Sequence, residues 1–301
     1  MAKFILHIPV LLKETVDGLN IKSGAVLLDG TLGGGGHTAE IVKRHGDSVK
    51  IVGLDLDSGA FPRAEEKLKD IKHDTVFKES AFQNGDKVLD ELGIEKLDGV
   101  MLDLGISSFQ LEEEGRGFSF MRDEPLLMTM KKNPGEMDVT AYDVVNTWGE
   151  ESLADIIYGF GEERYSRRIA KAIVEAREKK EIKTTGELSE IVNAVVGREY
   201  KRLKINPATK TFQAIRIAVN SELTAVEQSI PKYFERLSIG GRMVIISFHS
   251  LEDRIVKNEF RKLADEGKGK LITKKPIVPS DEEIKINPRS RSAKLRIIEK
   301  I

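Results

Sequence analysis

The fold of this protein is decided by residues 25–37, which read Ala-Val-Leu-Leu-Asp-Gly-Thr-Leu-Gly-Gly-Gly-Gly-His. The apolar run from Ala25 to Asp29 predicts a buried β-strand, and the segment after His37 has the pattern of an α-helix. Glycines between a strand and a helix permit a tight turn and let a ligand lie against bare backbone, while the helix N-terminus offers free N–H groups. The stretch therefore predicts a strand, a ligand-binding glycine loop and a helix in succession.

The same alternation of strand and helix continues along the chain. Further strands are predicted at 50–55, 75–78, 97–104, 242–248, 271–273 and 294–299, and a further helix at 61–70. Short apolar runs that alternate with helical stretches are typical of an α/β fold, whose mostly parallel sheet has right-handed crossovers and helices on both faces. We expect this fold class here.

A long helical region interrupts the α/β pattern. Helical periodicity dominates from Asp138 to Gln228, whereas strand patterns lie before and after it. The simplest organisation is one α/β domain with an insertion between its fourth and fifth strands. We expect the α/β domain to comprise residues 1–112 and 211–301, and the inserted helical domain to comprise residues 113–210.

The composition excludes several classes of protein. Of the 301 residues, 40% are hydrophobic and 32% are charged, which is typical of a globular protein rather than a disordered one. No apolar run approaches the roughly 18 residues of a membrane span, and the N-terminal residues lack the features of a secretory signal. Cysteine is absent, and the five histidines lack the spacing of metal ligands. We expect a cytoplasmic protein with no membrane segment and no bound metal.

The charge of the chain is unevenly distributed. Its formal net charge is −1, yet residues 164–216 carry fourteen Lys and Arg against six Asp and Glu, and residues 285–300 carry six against one. Within the first segment, the clustered basic residues are Arg164, Arg167, Arg168 and Lys171, then Lys201, Arg202 and Lys204. Such segments indicate a surface that faces a polyanion, although solvated helix faces would have the same composition.

Two acidic residues narrow the choice of ligand for the glycine loop. Asp29 begins the turn, where it can take an ammonium group, and Asp55 ends the next strand, where nucleotide-binding α/β folds place a carboxylate for the ribose hydroxyls. Asp57 competes for the ribose or caps the next helix. The glycine spacing matches G-x-G-x-x-G poorly, and the chain has no P-loop motif. These features favour S-adenosylmethionine over a nicotinamide dinucleotide, with a purely structural turn as the alternative.

Two further polar residues follow predicted strands at the same edge of the sheet. A carboxylate at Asp103 can hold the N–H groups of an amine and aim its lone pair at a methyl group, or it can be a cap or a cofactor contact. His249 is either a hydrogen-bonding group near a target base or a structural histidine. The absence of a G-x-S-x-G elbow excludes a serine hydrolase. Asp103 and His249 are therefore the candidate catalytic residues.

Seven short motifs are spread over nearly the whole chain. They are His7-Ile8-Pro9-Val10-Leu11-Leu12, Asp29 to His37, Leu102-Asp103-Leu104-Gly105-Ile106-Ser107-Ser108, Arg116-Gly117-Phe118-Ser119-Phe120, Thr211 to Ile217, Ser247 to Arg254, and Asn287-Pro288-Arg289-Ser290-Arg291-Ser292-Ala293. Together and in this order they resemble the bacterial 16S ribosomal RNA cytosine-N4 methyltransferase family, of the MraW type. The combination is specific, although each motif alone is not.

The resemblance implies an S-adenosylmethionine-dependent enzyme that methylates N4 of one cytidine in the decoding region of 16S rRNA, in the small ribosomal subunit. It implies a Rossmann-like class I methyltransferase domain with an inserted helical domain that recognises the substrate. It also favours Asp55 over Asp57 and makes Asp103 a cofactor contact first. The candidate cofactor-binding residues are Gly34, Gly35, Gly36, His37, Asp55, Phe82, Asp103 and Gln110.

The chain departs from the family pattern at two places. Where the family has Arg-Asp-Gly-Pro-Leu-Asp-Met-Arg-Met, residues 122–130 read Arg-Asp-Glu-Pro-Leu-Leu-Met-Thr-Met, and Phe109 stands in place of a proline. If this loop lines the base pocket, the substitutions affect how the target is positioned. They leave the glycine loop and its acidic residues untouched.

Three other functions fit the sequence less well. The first is a methyltransferase that acts on another nucleic acid. The second is a non-catalytic, RNA-binding assembly factor with a retained cofactor pocket, whose salt-sensitive RNA binding would be indifferent to mutation of Asp55. The third is a nicotinamide-dependent dehydrogenase, which the glycine spacing disfavours.

Overall fold

A computed structural model of the protein describes residues 8–200 and 206–301. The chain divides into two units. The first joins Met1–Ser107 with Leu223–Ile301, and the second is Ser108–Glu222. The second unit is therefore an insertion in the sequence of the first.

The first unit is built on one mixed sheet of seven strands. The strands are β1 Val26–Asp29, β2 Lys50–Asp55, β3 Asp74–Glu79, β4 Leu97–Asp103, β5 Leu237–Ser247, β6 Gly269–Leu271 and β7 Lys294–Lys300. Their order is β3-β2-β1-β4-β5-β7-β6. The five strands from β3 to β5 pair in parallel, whereas β7 is antiparallel to both of its neighbours. The predicted α/β class with a mostly parallel sheet is confirmed.

Alternate residues of the strands pack into apolar cores on opposite faces of this sheet. Leu28 of β1 and Ile245 of β5 belong to one core, and their neighbours Leu27 and Val244 belong to the other. Successive side chains of a strand point to opposite faces, so a strand that is covered on both sides must be apolar at every position. This is why the central strands read as continuous apolar runs.

Helices supply the apolar side chains that cover the sheet. In the first unit they are α1 Leu12–Leu19, α2 Gly36–His45, α3 Ala60–Leu68, α4 Gly85–Glu91, α11 Glu222–Arg236, which begins at the junction, α12 Ser250–Asp265 and α13 Asp281–Ile286. Short 3-10 turns lie at Gly46–Ser48, Phe82–Asn84 and Pro288–Ser292. No helix in the described part of the chain is both long and apolar enough to cross a membrane.

The second unit is helical, as its sequence predicts. Its helices are α5 Ser108–Glu112, α6 Ala141–Thr147, α7 Glu150–Gly159, α8 Ser166–Arg177, α9 Thr185–Tyr200 and α10 Thr209–Asn220. α8 packs against α7 and α9, and α10 packs against α6 and α7. The loop between α5 and α6 is irregular and is held by side-chain hydrogen bonds to its carbonyl groups.

The limits of the second unit differ from the expected insertion at 113–210. Because α10 packs on α6 and α7, the second unit extends to Glu222 and includes residues 211–222, which the sequence assigned to the α/β domain. At its other end the unit begins at Ser108. The functional division between the two parts of the chain stays a prediction.

Some elements also differ from their predicted bounds. β5 begins at Leu237 rather than at 242, because its register with β4 shifts around Gly240, whose φ is +81°. β6 lies at Gly269–Leu271 rather than at 271–273. The short helices α1 and α4, of eight and seven residues, were not predicted, because so few residues hardly establish a helical period.

Candidate functional site

The glycine loop forms the tight turn that its sequence predicts. Gly33 and Gly35 have φ values of +53° and +67°, a left-handed conformation that glycine adopts without strain. The N–H of Gly35 donates to the carbonyl of Leu32 at 2.7 Å, and the N–H of Leu32 donates to the carbonyl of Leu54 in β2 at 2.8 Å. Since α2 begins at Gly36, the loop leads directly into a helix N-terminus.

Phe82, a predicted cofactor residue, lies beside this loop. A Cβ atom built on Gly30 would be 3.2 Å from Cβ of Phe82 and 2.4 Å from Cδ2 of Leu102. Any side chain at position 30 would therefore displace its neighbours. The absence of a side chain brings the loop, β4 and the 3-10 turn that begins at Phe82 into close contact.

Asp55 is tied to the glycine loop, whereas Asp57 is used elsewhere. Oδ2 of Asp55 accepts the N–H of Gly33 at 2.7 Å, and its Oδ1 accepts the N–H of Asp57 at 2.8 Å. Oδ1 of Asp57 accepts the N–H of Gly59 at 2.9 Å, in the turn before α3. Each carboxylate oxygen can accept a second hydrogen bond, so Asp55 keeps acceptor capacity for a ligand. Burial raises the pKa of Asp55 above its ordinary value.

Asp29 is a buried acid that two threonines hold in place. Its Oδ2 accepts the hydroxyl of Thr38 at 2.6 Å, and its Oδ1 accepts the N–H of Thr31 at 3.2 Å. Burial raises the pKa of Asp29 to about 6, although these hydrogen bonds act in the opposite direction. Asp29 is therefore mostly ionised at neutral pH, and a nearby cation would stabilise its charge.

Asp103 ends β4, which is the neighbour of β1 in the sheet. Its N–H donates to Oγ1 of Thr31 at 2.6 Å. Its Oδ1 is buried and has no hydrogen-bond partner among the residues that the structure describes. Burial first, and then the negative charges of Asp29 and Glu252, raise the pKa of Asp103 to about 8. An acid with a buried, unpartnered oxygen beside other acids is what a cationic or hydrogen-bond-donating ligand would complete.

These three carboxyl groups lie at the ends of the neighbouring strands β2, β1 and β4. Asp55 offers acceptors for hydroxyl groups, while Asp29 and Asp103 favour positive charge. S-adenosylmethionine carries ribose hydroxyls, an ammonium group and a sulfonium group, so its chemistry fits the residues present. The pyrophosphate of a dinucleotide would place negative charge near Asp29, which disfavours it.

The other predicted cofactor residues fall into both units. His37 is buried in the first turn of α2, and its Nε2 lies 3.1 Å from the carbonyl oxygen of Val10. Gln110 is buried in α5 of the second unit, where its Nε2 donates to the carbonyl of Met130 at 3.2 Å. The candidates that belong to the first unit are Gly34, Gly35, Gly36, His37, Asp55, Phe82 and Asp103. Their cofactor contacts stay predictions.

His249 is the N-cap residue of α12. Its Nδ1 accepts the N–H of Glu252 at 3.4 Å, and Oε2 of Glu252 accepts the N–H of His249 at 3.4 Å and the N–H of Phe248 at 2.9 Å. The Nε2 atom of His249 also lies 3.2 Å from Oε1 of Glu252. This arrangement is a capping box that fixes the start of the helix. The geometry gives His249 a structural task, and its catalytic role stays a prediction.

The basic residues near the C-terminus are partly neutralised. Asp253 of α12 forms ion pairs with Lys294 at 3.0 Å and with Arg296 at 2.7 Å, both on β7. Burial opposes ionisation of Asp253, but hydrogen bonds from these two cations lower its pKa below the ordinary value. Arg289 and Arg291 are exposed. The predicted cluster at Lys201, Arg202 and Lys204, and His7 of the first motif, lie outside the described residues.

The residues that depart from the family pattern are built into the second unit. Glu124, which replaces a glycine, is buried, and its Oε2 accepts the N–H of Gly117 at 2.9 Å. Its Oε1 lies 2.7 Å from Nε of Arg122. The main chain of Glu124 exchanges two hydrogen bonds with Thr185, at 3.0 Å and 2.8 Å. The substitution therefore adds a carboxylate that braces this loop.

Sequence reasoning missed the residues that orient the acids. Thr31 and Thr38 hold Asp29, and Thr31 also binds the backbone of Asp103. The spacing of Asp29 and Thr31 is that of a side chain that bonds the backbone two residues on, which is a detectable signal. Glu252 follows His249 by three residues, which is the spacing of a capping box.

A Rossmann-like sheet, a glycine loop after β1 and acids at the ends of β1, β2 and β4 define the class of S-adenosylmethionine-dependent methyltransferases. A sequence model described as the MraW methylase family matches residues 4–301. The chain belongs to this family, as its motifs predicted.

Curated relatives match over almost their entire length. "Ribosomal RNA small subunit methyltransferase H" of Clostridium botulinum is 48% identical over 98% of this chain and 99% of its own. The protein of the same name from Clostridioides difficile is 46% identical with the same coverage. A solved structure described as an rRNA methylase from Streptococcus thermophilus is a more distant likeness, with 13% identity, a TM-score of 0.44, and coverage of 96% of this chain and 93% of that one.

Proposed function

We propose that this protein transfers a methyl group from S-adenosylmethionine to N4 of one cytidine in the decoding region of 16S rRNA, in the small ribosomal subunit. The observation that carries the proposal is the full-length likeness to relatives named ribosomal RNA small subunit methyltransferase H. The acids of the first unit support it, because they match a cofactor that bears hydroxyl groups and positive charge.

The residues around the glycine loop would hold the cofactor, which supplies an electrophilic methyl group. Asp55 would accept hydrogen bonds from the ribose hydroxyls, as carboxylates in this position of α/β folds do. Asp29 would pair with the ammonium group. Phe82 would provide an apolar contact beside the loop. In this assignment Gly34, Gly35, Gly36 and His37 form the turn and the first residues of α2.

Asp103 would hold and orient the amine of the target base. An exocyclic cytosine amine is a poor nucleophile, because its lone pair is delocalised into the ring. A carboxylate that accepts its N–H groups localises the lone pair and directs it, and positioned acid–base groups of this kind contribute roughly 10²- to 10⁴-fold in rate. The unpartnered Oδ1 of Asp103 is the acceptor. The positive charge of the bound cofactor would favour the ionised form of Asp103, which could then also receive the proton that the methylated amine loses.

The division of the chain follows the same proposal. Residues 1–112 and 211–301 would form the methyltransferase domain, and residues 113–210 would form the inserted domain that recognises RNA. The many basic residues between 164 and 216 support this division, since phosphate contacts dominate affinity for nucleic acids. The target base would have to be unstacked to reach the cofactor. The protein would act in the cytoplasm, on the small subunit, without a metal ion.

The proposal is tested by methyl transfer from labelled S-adenosylmethionine to isolated small subunits that lack their own cytosine-N4 mark. Free 16S rRNA and DNA serve as parallel acceptors, and nuclease mapping locates the product. We expect label at N4 of a single cytidine. Asp55→Ala should abolish S-adenosylmethionine binding and methyl transfer together, because the carboxylate that accepts hydrogen bonds from the ribose hydroxyls is lost.

The alternatives give different results in the same assay. Label in DNA or at another RNA site would show that the proposed substrate is wrong, although the protein would still be a methyltransferase. No label on any acceptor, with RNA binding that is unchanged in Asp55→Ala, would overturn the proposal in favour of a non-catalytic assembly factor.

A further inference from the structure

The second unit contains a surface cleft between α7 and α8. Its volume is about 320 Å³, and it is lined by Ala154, Asp155, Tyr158, Arg164, Tyr165, Ser166, Arg167 and Arg168. Three arginines and one aspartate line this small cavity, so its formal charge is positive. Two tyrosines give the same cleft aromatic surface.

Tyr165 holds two of the three arginines in place. The guanidinium carbon of Arg164 lies 4.6 Å from the centre of the Tyr165 ring, and that of Arg168 lies 5.2 Å from it. Nη2 of Arg164 donates to the Tyr165 hydroxyl at 2.6 Å, and Nη2 of Arg168 donates to the carbonyl of Val195 at 2.9 Å. Stacked and hydrogen-bonded arginines lose little further freedom on binding an anion, so the cleft is organised in advance.

Arg167 and Tyr158 remain available to a ligand. Arg167 is exposed, and no hydrogen bond or ion pair within the described residues engages its guanidinium group. Tyr158 is 67% exposed, which is a large exposed fraction for an aromatic side chain. A free guanidinium group beside an exposed ring is the combination with which proteins bind single-stranded nucleic acid, as a phosphate contact and a stacking surface.

We propose that this cleft binds a single-stranded segment of RNA, with a backbone phosphate at Arg167 and its neighbouring arginines and with a base stacked on Tyr158. The inference rests on the proposed function for the source of the RNA, and it adds the place in the chain where that RNA is held. Asp155 favours RNA over a small free anion, because it lowers the net charge while the aromatic surface still contributes to binding a base.

The experiment compares the full-length protein with two variants and a matched control. Arg167→Ala and Tyr158→Ala remove exposed side chains, whereas Lys179→Ala removes an exposed positive charge of the same unit outside the cleft. A short fluorescein-labelled single-stranded RNA from the decoding region serves as the probe, and anisotropy is measured at several salt concentrations. Circular dichroism and S-adenosylmethionine binding establish that each variant is folded.

Each side chain has its own expected effect. Tyr158→Ala should weaken RNA binding roughly tenfold without changing its salt dependence, because base–aromatic stacking is lost. Arg167→Ala should lower the slope of log K against log salt by about 0.7, the value for one phosphate contact on a single strand. Lys179→Ala should change neither the RNA affinity nor the salt slope by more than about twofold. In methyl transfer, both cleft variants should raise KM for RNA and leave kcat unchanged.

The outcomes separate this inference from the proposed function. If wild-type protein methylates the subunit but both cleft variants bind RNA as it does, the cleft proposal is wrong and the function stands. If no acceptor is methylated but the variants still lose RNA affinity, the cleft proposal stands alone. Variants that bind RNA normally but fail to bind assembled subunits would assign the cleft to a ribosomal protein and overturn the RNA proposal.

Discussion

At the scale of the residue, the site brings acidic side chains together at the ends of adjacent strands. Asp29 and Asp103 end adjacent strands, and Glu252 contributes a further buried negative charge near Asp103. Buried like charges raise one another's pKa, so the site is protonated in part near neutral pH. A cation that binds here exchanges with protons, which couples cofactor affinity to pH.

This coupling predicts how S-adenosylmethionine affinity depends on pH. With pKa values of about 6 for Asp29 and about 8 for Asp103, both acids become ionised as the pH rises through this range. The ionised forms bind the cationic cofactor better, so affinity should increase by about tenfold or more from pH 6 to pH 8. Isothermal titration across this range measures the effect and the number of protons released.

Asp103→Asn is the informative variant for this dependence. It should bind S-adenosylmethionine with a dependence that flattens above pH 7, where only Asp103 still titrates. It should also lower kcat at saturating substrate by roughly 10²-fold, because the neutral amide is a weaker hydrogen-bond acceptor than a carboxylate and cannot take up the amine's proton. An unaltered pH dependence in this variant would show that another group titrates, and an unaltered kcat would remove Asp103 from the chemistry.

At the scale of the element, the start of α12 separates a structural role of His249 from a catalytic one. The side chain accepts the N–H of Glu252, and an N-cap residue of this kind contributes about 1 kcal/mol to stability. We expect His249→Ala to lower Tm by a few degrees. His249→Asn, whose side chain is also a good cap, should restore the Tm of wild type. Its kcat should lie within about twofold of wild type.

Kinetics of the asparagine variant decide between the two roles. If His249 contacts the target base, His249→Asn will fold normally and lose kcat by more than about tenfold, since only the cap is replaced. Wild-type kcat in this variant would assign His249 to the helix cap. The comparison needs both variants, because the alanine variant alone confounds stability with activity.

The elements also show how far a sequence can predict this structure. Continuous apolar runs identified β1, β2 and β4, because a strand buried on both faces leaves no polar position. Asp29, Asp55 and Asp103 were found because they follow those runs directly. Residue spacing indicates some of the threonine contacts and the capping of α12 by His249, but only the side-chain geometry establishes these hydrogen bonds. The end of the second unit at Glu222 depends on the packing of α10, which a local pattern cannot show.

At the scale of the whole molecule, the raised pKa values make stability depend on pH. Asp29 and Asp103 have pKa values of about 6 and about 8 in the folded chain, against 3.8 for the ordinary group. Between pH 4 and pH 8 the folded state therefore binds more protons than the unfolded state. Stability must fall as the pH rises through this window and become level above it, as far as these two groups decide it.

The difference between wild type and Asp103→Asn isolates one of these contributions. The variant has no carboxylate to ionise, so its stability should exceed that of wild type increasingly from pH 5 to pH 8. Each unit of the raised pKa corresponds to about 1.4 kcal/mol in the free energy of unfolding, and the pKa of Asp103 is raised by several units. The Tm of Asp103→Asn at pH 8 should therefore exceed that of wild type by roughly 5 °C or more. Saturating S-adenosylmethionine should stabilise wild type more at pH 8 than at pH 6, because it binds the ionised site. Thermal unfolding of both proteins at pH 5, 6.5 and 8, with and without cofactor, measures all of this. Parallel curves for the two proteins would mean that Asp103 is not protonated in the free enzyme, and the electrostatic account of the site would fail with it.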